Sequence, residues 1–403
     1  MKKVTIYVAA LVLILGGATS GLKAQSVLPR INVVTSAVPF IRISPDARSG
    51  GMGDVGVATP PDANSAFWNL AKTAFLTNKG AIAVTYTPWL KDLGLNDVYL
   101  TALTGYYKIS DDEAISASMR YFNLGNIQFT DALGNDLLAF RPREFSFDAG
   151  YSRKLSEKLS LGIALRYINS NLAGNNTALN GQVYKAANAV AGDISLFHSN
   201  TSADGSGFNY GVAITNLGSK ISYTNDAAQK DYIPANLGLG VAYTKAFDEN
   251  SKVTFAFDIN KLLVPTPPIF STDGTINGGG GTAQDTINLN NYRNQSVVSS
   301  WFKSFGDAPG GFSEELKEVQ ASLGAEFWYQ NQFAFRAGYF YENALKGNRQ
   351  YFTLGAGLKY NTFGLNFSYL LPSGNGVNRN PLSNTLRFTL VFDFDGGSGD
   401  ASK

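Results

Sequence analysis

Large apolar side chains recur at every second position along much of the chain. In the segment Tyr351–Tyr360, one face carries Phe352 and Leu354, whereas the intervening positions are mostly small or polar. A period of two residues is typical of a β-strand with one apolar face. Most segments with this pattern have about the 10 residues that a tilted strand needs to cross a bilayer.

We predict about 14 antiparallel strands, an even number of the kind found in bacterial outer-membrane barrels. The predicted strands span residues 81–87, 97–109, 114–122, 143–155, 159–170, 187–199, 207–216, 236–247, 252–262, 317–329, 332–341, 350–361, 363–371 and 384–394.

The connections between the predicted strands alternate in length. The short connections are 110–113, 156–158, 200–206, 248–251, 330–331 and 361–362, and the long ones are 88–96, 123–142, 171–186, 217–235, 263–316, 342–349 and 372–383. Short periplasmic turns and longer external loops are typical of outer-membrane barrels, whereas a soluble sandwich or propeller has no reason to sort its connections in this way. We therefore predict an all-β fold, a transmembrane β-barrel of about 14 antiparallel strands, with the loop Leu263–Leu316 outside the cell.

The second face of the predicted strands is mostly small or polar, with isolated charges that include Arg166, Glu326 and Arg336. An apolar band that faces lipid, around a narrow wet lumen, explains both faces. Charges in a confined lumen need partners. We therefore expect Asp46 and Arg48, from a plug segment before the first strand, to contact Arg166, Glu326 or Arg336; the alternative is that they pair only with each other or with water.

The N-terminus is predicted to be a secretory signal peptide, residues 1–24, because two lysines precede a short apolar run and a small residue precedes Gln25. The alternative, a membrane anchor, needs a longer apolar run than this one. Residues 25–79 do not alternate, and we predict that they form a hatch inside the barrel, with Asp62 capping a short helix that runs to about Ala74. Residues 80–394 are then the barrel, and residues 395–403 form a periplasmic tail.

The composition excludes several classes of function. The 403 residues contain 33 basic and 31 acidic side chains, one His and no Cys. This balance argues against nucleic acid binding, and the lack of Cys excludes thiolate zinc sites and Cys nucleophiles. We predict no metal site, because a single His and no Cys leave few ligands for one. We also predict no nucleotide cofactor, because the formal dinucleotide motif Gly51–Gly56 follows no hydrophobic strand. We also predict that the protein is not an enzyme, because the only imidazole, His198, lies at a strand end with no visible nucleophile beside it.

The plug segment carries a resemblance to a known superfamily. A Gly-rich stretch, then Asp62-Ala63 and Trp68-Asn69-Leu70-Ala71, resembles the N-terminal hatch of the FadL-type barrels, in which Asn-Pro-Ala is usual at the last three positions. More specifically, Asp46–Ala58 and the Tyr-Thr-Pro-Trp-Leu segment at 86–90 resemble the PorV (or LptO) family of outer-membrane proteins of the type IX secretion system. The resemblance runs over essentially the whole chain after the signal peptide.

The resemblance implies a function in the outer membrane. Proteins of this family are implied to bind the C-terminal signal domain of secreted cargo, to take it from a translocon barrel of the SprA or Sov type, and to deliver it to an attachment complex that contains PorU. In that complex the signal is removed and the cargo is joined to lipopolysaccharide. The family has also been linked to lipopolysaccharide deacylation, for which this sequence offers no evident catalytic group. The alternative function is a FadL-like outer-membrane transporter for hydrophobic small molecules.

The loop Leu263–Leu316 is far longer than ordinary connections, and such loops are usually functional or disordered. Exposed aromatic side chains tend to anchor protein interfaces. The candidate partner-binding residues are Pro265, Phe270, Trp301, Phe302 and Phe305, and the tetraglycine 278–281 allows a turn or a close backbone approach. The partners that we expect are the translocon, the cargo signal domain, the attachment complex and the lipid of the outer membrane.

Overall fold

The computed structural model describes residues 31–130, 133–174, 183–202, 204–226, 230–268, 283–372 and 384–394. Within these residues, 14 antiparallel strands form a closed barrel and two more strands form a separate ribbon. The last strand pairs with the first, with Ala81 opposite Asp393 and Tyr86 opposite Phe388. Closure leaves no unpaired strand edge facing lipid, and the predicted 14-stranded barrel is confirmed.

In chain order, the strands are β1 (Gly80–Pro88), β2 (Val98–Lys108), β3 (Glu113–Leu124), β4 (Ile127–Thr130), β5 (Asp136–Phe140), β6 (Arg143–Lys154), β7 (Leu159–Asn171), β8 (Ala187–Thr201), β9 (Gly207–Gly218), β10 (Asn236–Ala246), β11 (Lys252–Leu262), β12 (Gln320–Tyr329), β13 (Phe333–Tyr341), β14 (Gln350–Tyr360), β15 (Phe363–Pro372) and β16 (Leu386–Asp393). Helices span Ala47–Gly50, Ser65–Trp68, Ala283–Asn294, Val297–Lys303 and Phe312–Glu315, and 3-10 turns span Pro39–Arg42, Leu70–Phe75, Lys91–Leu93 and Leu316–Glu318. No helix in the described ranges is long and apolar enough to cross a membrane.

Two features of the long connections differ from the sequence prediction. The connection after β3 contains the ribbon of β4 and β5, whereas the sequence predicts a simple loop there. The strand predicted from residue 317 begins instead at Gln320, because residues 316–318 form a 3-10 turn. The predicted signal peptide and periplasmic tail lie outside the described residues.

The two faces of the barrel wall are inverted relative to a soluble protein. Along β1, the large side chains Ile82, Val84 and Tyr86 are exposed, whereas Ala83 and Thr85 are buried. The same inversion appears along the other strands, with outward Phe and Leu side chains and small or polar inward ones. An apolar exterior around a polar interior is the pattern of a barrel whose outer face contacts lipid.

The segment before β1 lies inside the barrel as a hatch, described here from residue 32 to residue 79. Its backbone amides donate to inward side chains of the wall: Ala47 N to Thr389 Oγ1 at 2.9 Å, and Gly53 N to Thr353 Oγ1 at 2.8 Å. The Asp258 carboxylate of the wall accepts hydrogen bonds from two further hatch amides, Gly56 N at 2.7 Å and Val57 N at 2.8 Å. These contacts satisfy backbone donors that a helix or sheet would otherwise pair.

Glycines let the hatch backbone approach the wall this closely. A Cβ built on Gly338 would lie 2.1 Å from Gly53 N, and a Cβ on Gly324 would lie 2.4 Å from Met52 O. Gly53 also has a φ of 71°, in the region that favours glycine. The Gly-rich stretch is therefore explained by packing against the wall.

The helix predicted from Asp62 to about Ala74 is interrupted at Asn69. The structure has a helix at Ser65–Trp68 and a 3-10 turn at Leu70–Phe75, with Asn69 extended between them. The Asn69 Nδ2 donates to Val57 O at 3.0 Å and to Leu196 O at 2.9 Å. These bonds to the hatch and to the wall favour the break over a continuous helix.

Candidate partner-binding surface at the long-loop end

The barrel has two unlike ends. One end carries tight connections such as 247–251 and 361–362, and we call it the short-turn end. The other end carries the long connections, among them the ribbon and the segment between Leu262 and Gln320. We call this the long-loop end, and we call its residues 283–318 the cap.

The cap is folded and is anchored to the barrel rim. The Lys220 ammonium donates to Arg293 O at 2.6 Å and to Gln295 O at 2.7 Å. The Tyr232 hydroxyl also donates to Gln295 O, at 2.8 Å. Burial raises the pKa of Tyr232 to about 12, so the hydroxyl remains a donor at any physiological pH. Both side chains bind backbone carbonyls at the C-terminal end of the helix Ala283–Asn294, where the last carbonyls lack partners within the helix.

Buried ion pairs fix the far end of the cap. Lys261 lies 2.9 Å from Glu315 and 2.8 Å from Glu318, and Lys346 lies 2.9 Å from Glu318 and 2.6 Å from Glu314. Thr266 Oγ1 donates to Glu318 Oε1 at 2.8 Å. Because these charges are buried and mutually paired, the loss of any one partner leaves an uncompensated charge.

Large apolar side chains remain exposed on this anchored cap. Phe302 is 75% exposed and Phe305 is 50% exposed, while Trp301 is only partly exposed. Phe312 and Leu316, at 81% and 63% exposed, extend the surface. We call Phe302, Phe305, Phe312 and Leu316 the apolar patch. Sequence reasoning missed the last two, although each is a bulky apolar residue within the same long loop.

The other two predicted loop residues do not contribute to this surface as described. Pro265 is buried at the entry to the loop. Phe270 and the tetraglycine lie outside the described residues.

Part of the apolar patch lies against the outer wall of the barrel. Phe305, Phe312 and Leu316 line a groove of about 220 Å³ together with the outward side chains Leu239 and Ile259. The groove is thus continuous with the band that faces lipid. Phe302 does not line this groove, so it is the member of the patch most available to a protein partner.

The predicted lumen residues form two separate charge clusters. In the first, Arg48 of the hatch binds Glu326 through two hydrogen bonds of 2.9 and 2.7 Å, and Arg336 Nε lies 2.6 Å from the same carboxylate. Arg48 also lies 3.0 Å from Asp62. Burial lowers the pKa of Arg48, but the carboxylates of Glu326 and Asp62 raise it by more, so that the pKa lies above its ordinary value.

The second cluster is made of wall side chains, and its Arg120 also donates to Ile41 O of the hatch at 2.6 Å. Arg166 pairs with Asp148 and lies 2.9 Å from Asp193, and Arg120 lies 3.2 Å from Asp148. Asp46 joins neither cluster: its carboxylate caps a short helix through Ser49 N at 2.8 Å and accepts from Trp68 Nε1 at 2.8 Å. Burial, and then Asp62, raise the pKa of Asp46.

His198 lies near the end of β8, with its ring 6.0 Å from that of Tyr210. Within the described residues, its Nδ1 has no hydrogen-bond partner. The described ranges contain no group of three His, Asp or Glu side chains arranged to hold a metal ion.

Comparison with known proteins supplies a family and a fold. The family model of the type IX secretion system protein PorV matches residues 27–269. Among curated proteins, none matches the chain. Similar solved structures include the Ralstonia pickettii toluene transporter TbuX, at 11% identity and a TM-score of 0.50, with 86% of this chain and 97% of that chain covered. A Pseudomonas aeruginosa FadL homologue is 11% identical with a TM-score of 0.44, over 90% of this chain and 99% of that chain.

Proposed function

The chain belongs to the PorV family of the type IX secretion system, and we propose that it binds the C-terminal signal domain of secreted cargo at the translocon and delivers it to the surface attachment complex. In this proposal, the long-loop end faces outward, as the short turns of outer-membrane barrels face the periplasm. The protein acts by binding alone, without catalysis. The partners are the translocon barrel, the cargo signal domain and the PorU-containing complex.

The observation that carries the proposal is the exposed apolar patch on an anchored cap. Phe302 does not line the groove that continues the lipid-facing band and is costly to leave in water, and an exposed apolar surface of this kind usually marks an interaction site. The buried ion pairs at Lys261 and Lys346 hold the cap in one conformation. A binding surface that is ordered before the partner arrives loses less conformational entropy on association.

A triple variant of Trp301, Phe302 and Phe305 to Ala tests this proposal. Truncation of a buried aromatic anchor costs about 2 kcal/mol or more, so two such losses would weaken binding by about a thousandfold. We expect the variant to assemble in the membrane but not to co-purify with the translocon or cargo. The matched control is Phe247→Ala, an exposed aromatic at the short-turn end. Co-purification of the triple variant at wild-type yield would show that the binding surface does not include these three side chains.

The alternative is uptake of hydrophobic small molecules, and the fold shared with the toluene transporter TbuX supports it. Against it, the lumen cavity of about 110 Å³ places charged side chains, among them Asp54, Arg166 and Arg387, beside its apolar ones. A neutral hydrocarbon such as toluene offers these charged groups no hydrogen-bond partner. Accumulation of radiolabelled toluene by cells, compared with and without this protein, tests the alternative.

A further inference from the structure

A half-enclosed cavity lies between the hatch and the connections of the long-loop end. Its volume is about 710 Å³, within the range of ordinary ligand sites. We call this cavity the vestibule. Its walls are largely apolar and include Val34, Phe40, Ile43, Trp89 and Phe122. Arg42, the last residue of a 3-10 turn in the hatch, also lines it.

The other charged side chains that line the vestibule are paired. Arg349 binds Glu342 through two hydrogen bonds of 2.8 and 2.7 Å. Glu318 lies 2.9 Å from Lys346. These pairs leave the vestibule with one positive charge, that of Arg42.

Within the described residues, the Arg42 side chain makes no hydrogen bond and no ion pair. The nearby carboxylates are already used, since Asp54 accepts from the Tyr351 hydroxyl at 2.6 Å and lies 3.3 Å from Arg387. Burial, and then Arg349, lower the pKa of Arg42 to about 10, which leaves the guanidinium charged at neutral pH. Arg42 is half-buried in the vestibule wall, and its guanidinium would gain charge-assisted hydrogen bonds from a carboxylate that enters the cavity.

We propose that the vestibule binds a single carboxylate carried on an apolar chain, with Arg42 as its counter-ion. One guanidinium matches a monoanion, and a carboxylate fits its fork of donors. A dianion such as phosphate would exceed the one available charge and would face repulsion from Glu342. The apolar walls would bury the chain that carries the carboxylate.

Two molecules can present this chemistry: the free C-terminus of a polypeptide and a fatty acid. The first rests on the proposed function, because a signal domain at the C-terminus of cargo ends in a carboxylate. Capture of a terminal carboxylate is a recurring mode of peptide recognition. The vestibule would then hold the chain end while the apolar patch contacts the domain.

The test uses the full chain in lipid nanodiscs and three probes. The probes are a cargo signal domain with its free C-terminal carboxylate, the same domain as a C-terminal carboxamide, and dodecanoate. The variant is Arg42→Gln, and the matched control is Lys91→Gln, which removes an exposed cation from a long connection outside the vestibule. Heat-modifiable migration on gels checks that each variant forms the barrel.

We expect the free carboxylate to bind at least about tenfold more tightly than the carboxamide, as a charge-assisted hydrogen bond implies. This preference should vanish in Arg42→Gln and persist in Lys91→Gln. If Arg42→Gln does not fold, the comparison of the two domain forms on the wild-type protein decides alone.

The other outcomes separate this inference from the proposed function. If both domain forms bind equally and dodecanoate binding does not depend on Arg42, the inference is overturned and the shuttle function stands. If only dodecanoate binds, and binding depends on Arg42, the carboxylate site stands with a fatty acid as its ligand, and the shuttle function fails. If no probe depends on Arg42, no carboxylate site exists in the vestibule.

Discussion

The contact of Glu326 with two arginines ties the hatch to the wall. Arg48 comes from the hatch and Arg336 from β13, so one carboxylate bridges the hatch and the wall. Replacement of one partner in a buried ion pair leaves a charge without compensation, at a cost of about 3–5 kcal/mol. We expect Glu326→Gln to lower the free energy of unfolding by this amount, measured by thermal unfolding in detergent.

The matched control for this substitution is Glu113→Gln. Glu113 lies 3.6 Å from Arg153 in a pair exposed to solvent, and such pairs contribute about 0–1 kcal/mol. Equal destabilisation by the two substitutions would mean that the buried cluster does not hold the hatch.

The buried side chain of Lys72 makes the free energy of unfolding depend on pH. Burial lowers the pKa of Lys72 from 10.5 to about 8, although its ammonium donates to Gly56 O at 2.8 Å. Between these two values the unfolded chain binds more protons than the folded chain, so this group makes stability rise with pH. We expect the wild-type protein to gain stability between pH 8 and 10 relative to Lys72→Met. A constant difference between the two proteins across this window would show that Lys72 titrates normally.

The sequence predicts that a charged side chain in the lumen needs a partner, but it identifies that partner only in part. The sequence indicated that charges such as Arg48 and Glu326 face a lumen and need partners. The sequence did not indicate that Arg166 lies opposite Asp148 across β6 and β7, because that choice depends on strand register. Nor did it show that Asp46 caps its own helix, which a local hydrogen bond to Ser49 decides.

At the scale of elements, strands were predictable and cap helices were not. Strands such as β14 alternate strictly because one face meets lipid and the other meets the hatch. The helix Ala283–Asn294 has no apolar stripe, because most of its residues are polar and four of them are Asn. Tertiary contacts to Lys220 and Tyr232 anchor the segment beyond its end, and such contacts leave no periodic signal in the sequence.

Close packing between the hatch and β13 makes a second prediction at this scale. A Cβ on Gly338 would collide with the Gly53 and Met52 backbone at 2.1 Å, and backbone cannot move aside as a flexible side chain can. We expect Gly338→Ala to displace the hatch, measured as faster proteolysis of residues 44–58 in the purified barrel. Gly306→Ala is the control, because its Cβ would meet nothing within 4 Å. Unchanged proteolysis of Gly338→Ala would contradict close packing.

At the scale of the whole molecule, the orientation of the barrel decides which end can meet cargo. The chain contains no Cys, so a single introduced thiol reports its own position. We expect Asn290→Cys in the cap to react with a membrane-impermeant maleimide on intact cells. We expect Glu157→Cys, at the short-turn end, to react only after the outer membrane is opened. The reverse labelling pattern would show that the long-loop end faces the periplasm.

The most direct test of cargo binding at the long-loop end is photo-crosslinking in secreting cells. A photo-reactive amino acid replaces Phe302 in the cap, or Phe247 at the short-turn end as the control; both side chains are exposed. We expect the Phe302 position to form adducts with the cargo signal domain or the translocon, and the Phe247 position to form neither. Adducts with cargo from Phe247 alone, or only lipid adducts from Phe302 while cargo is being secreted, would contradict binding at the cap.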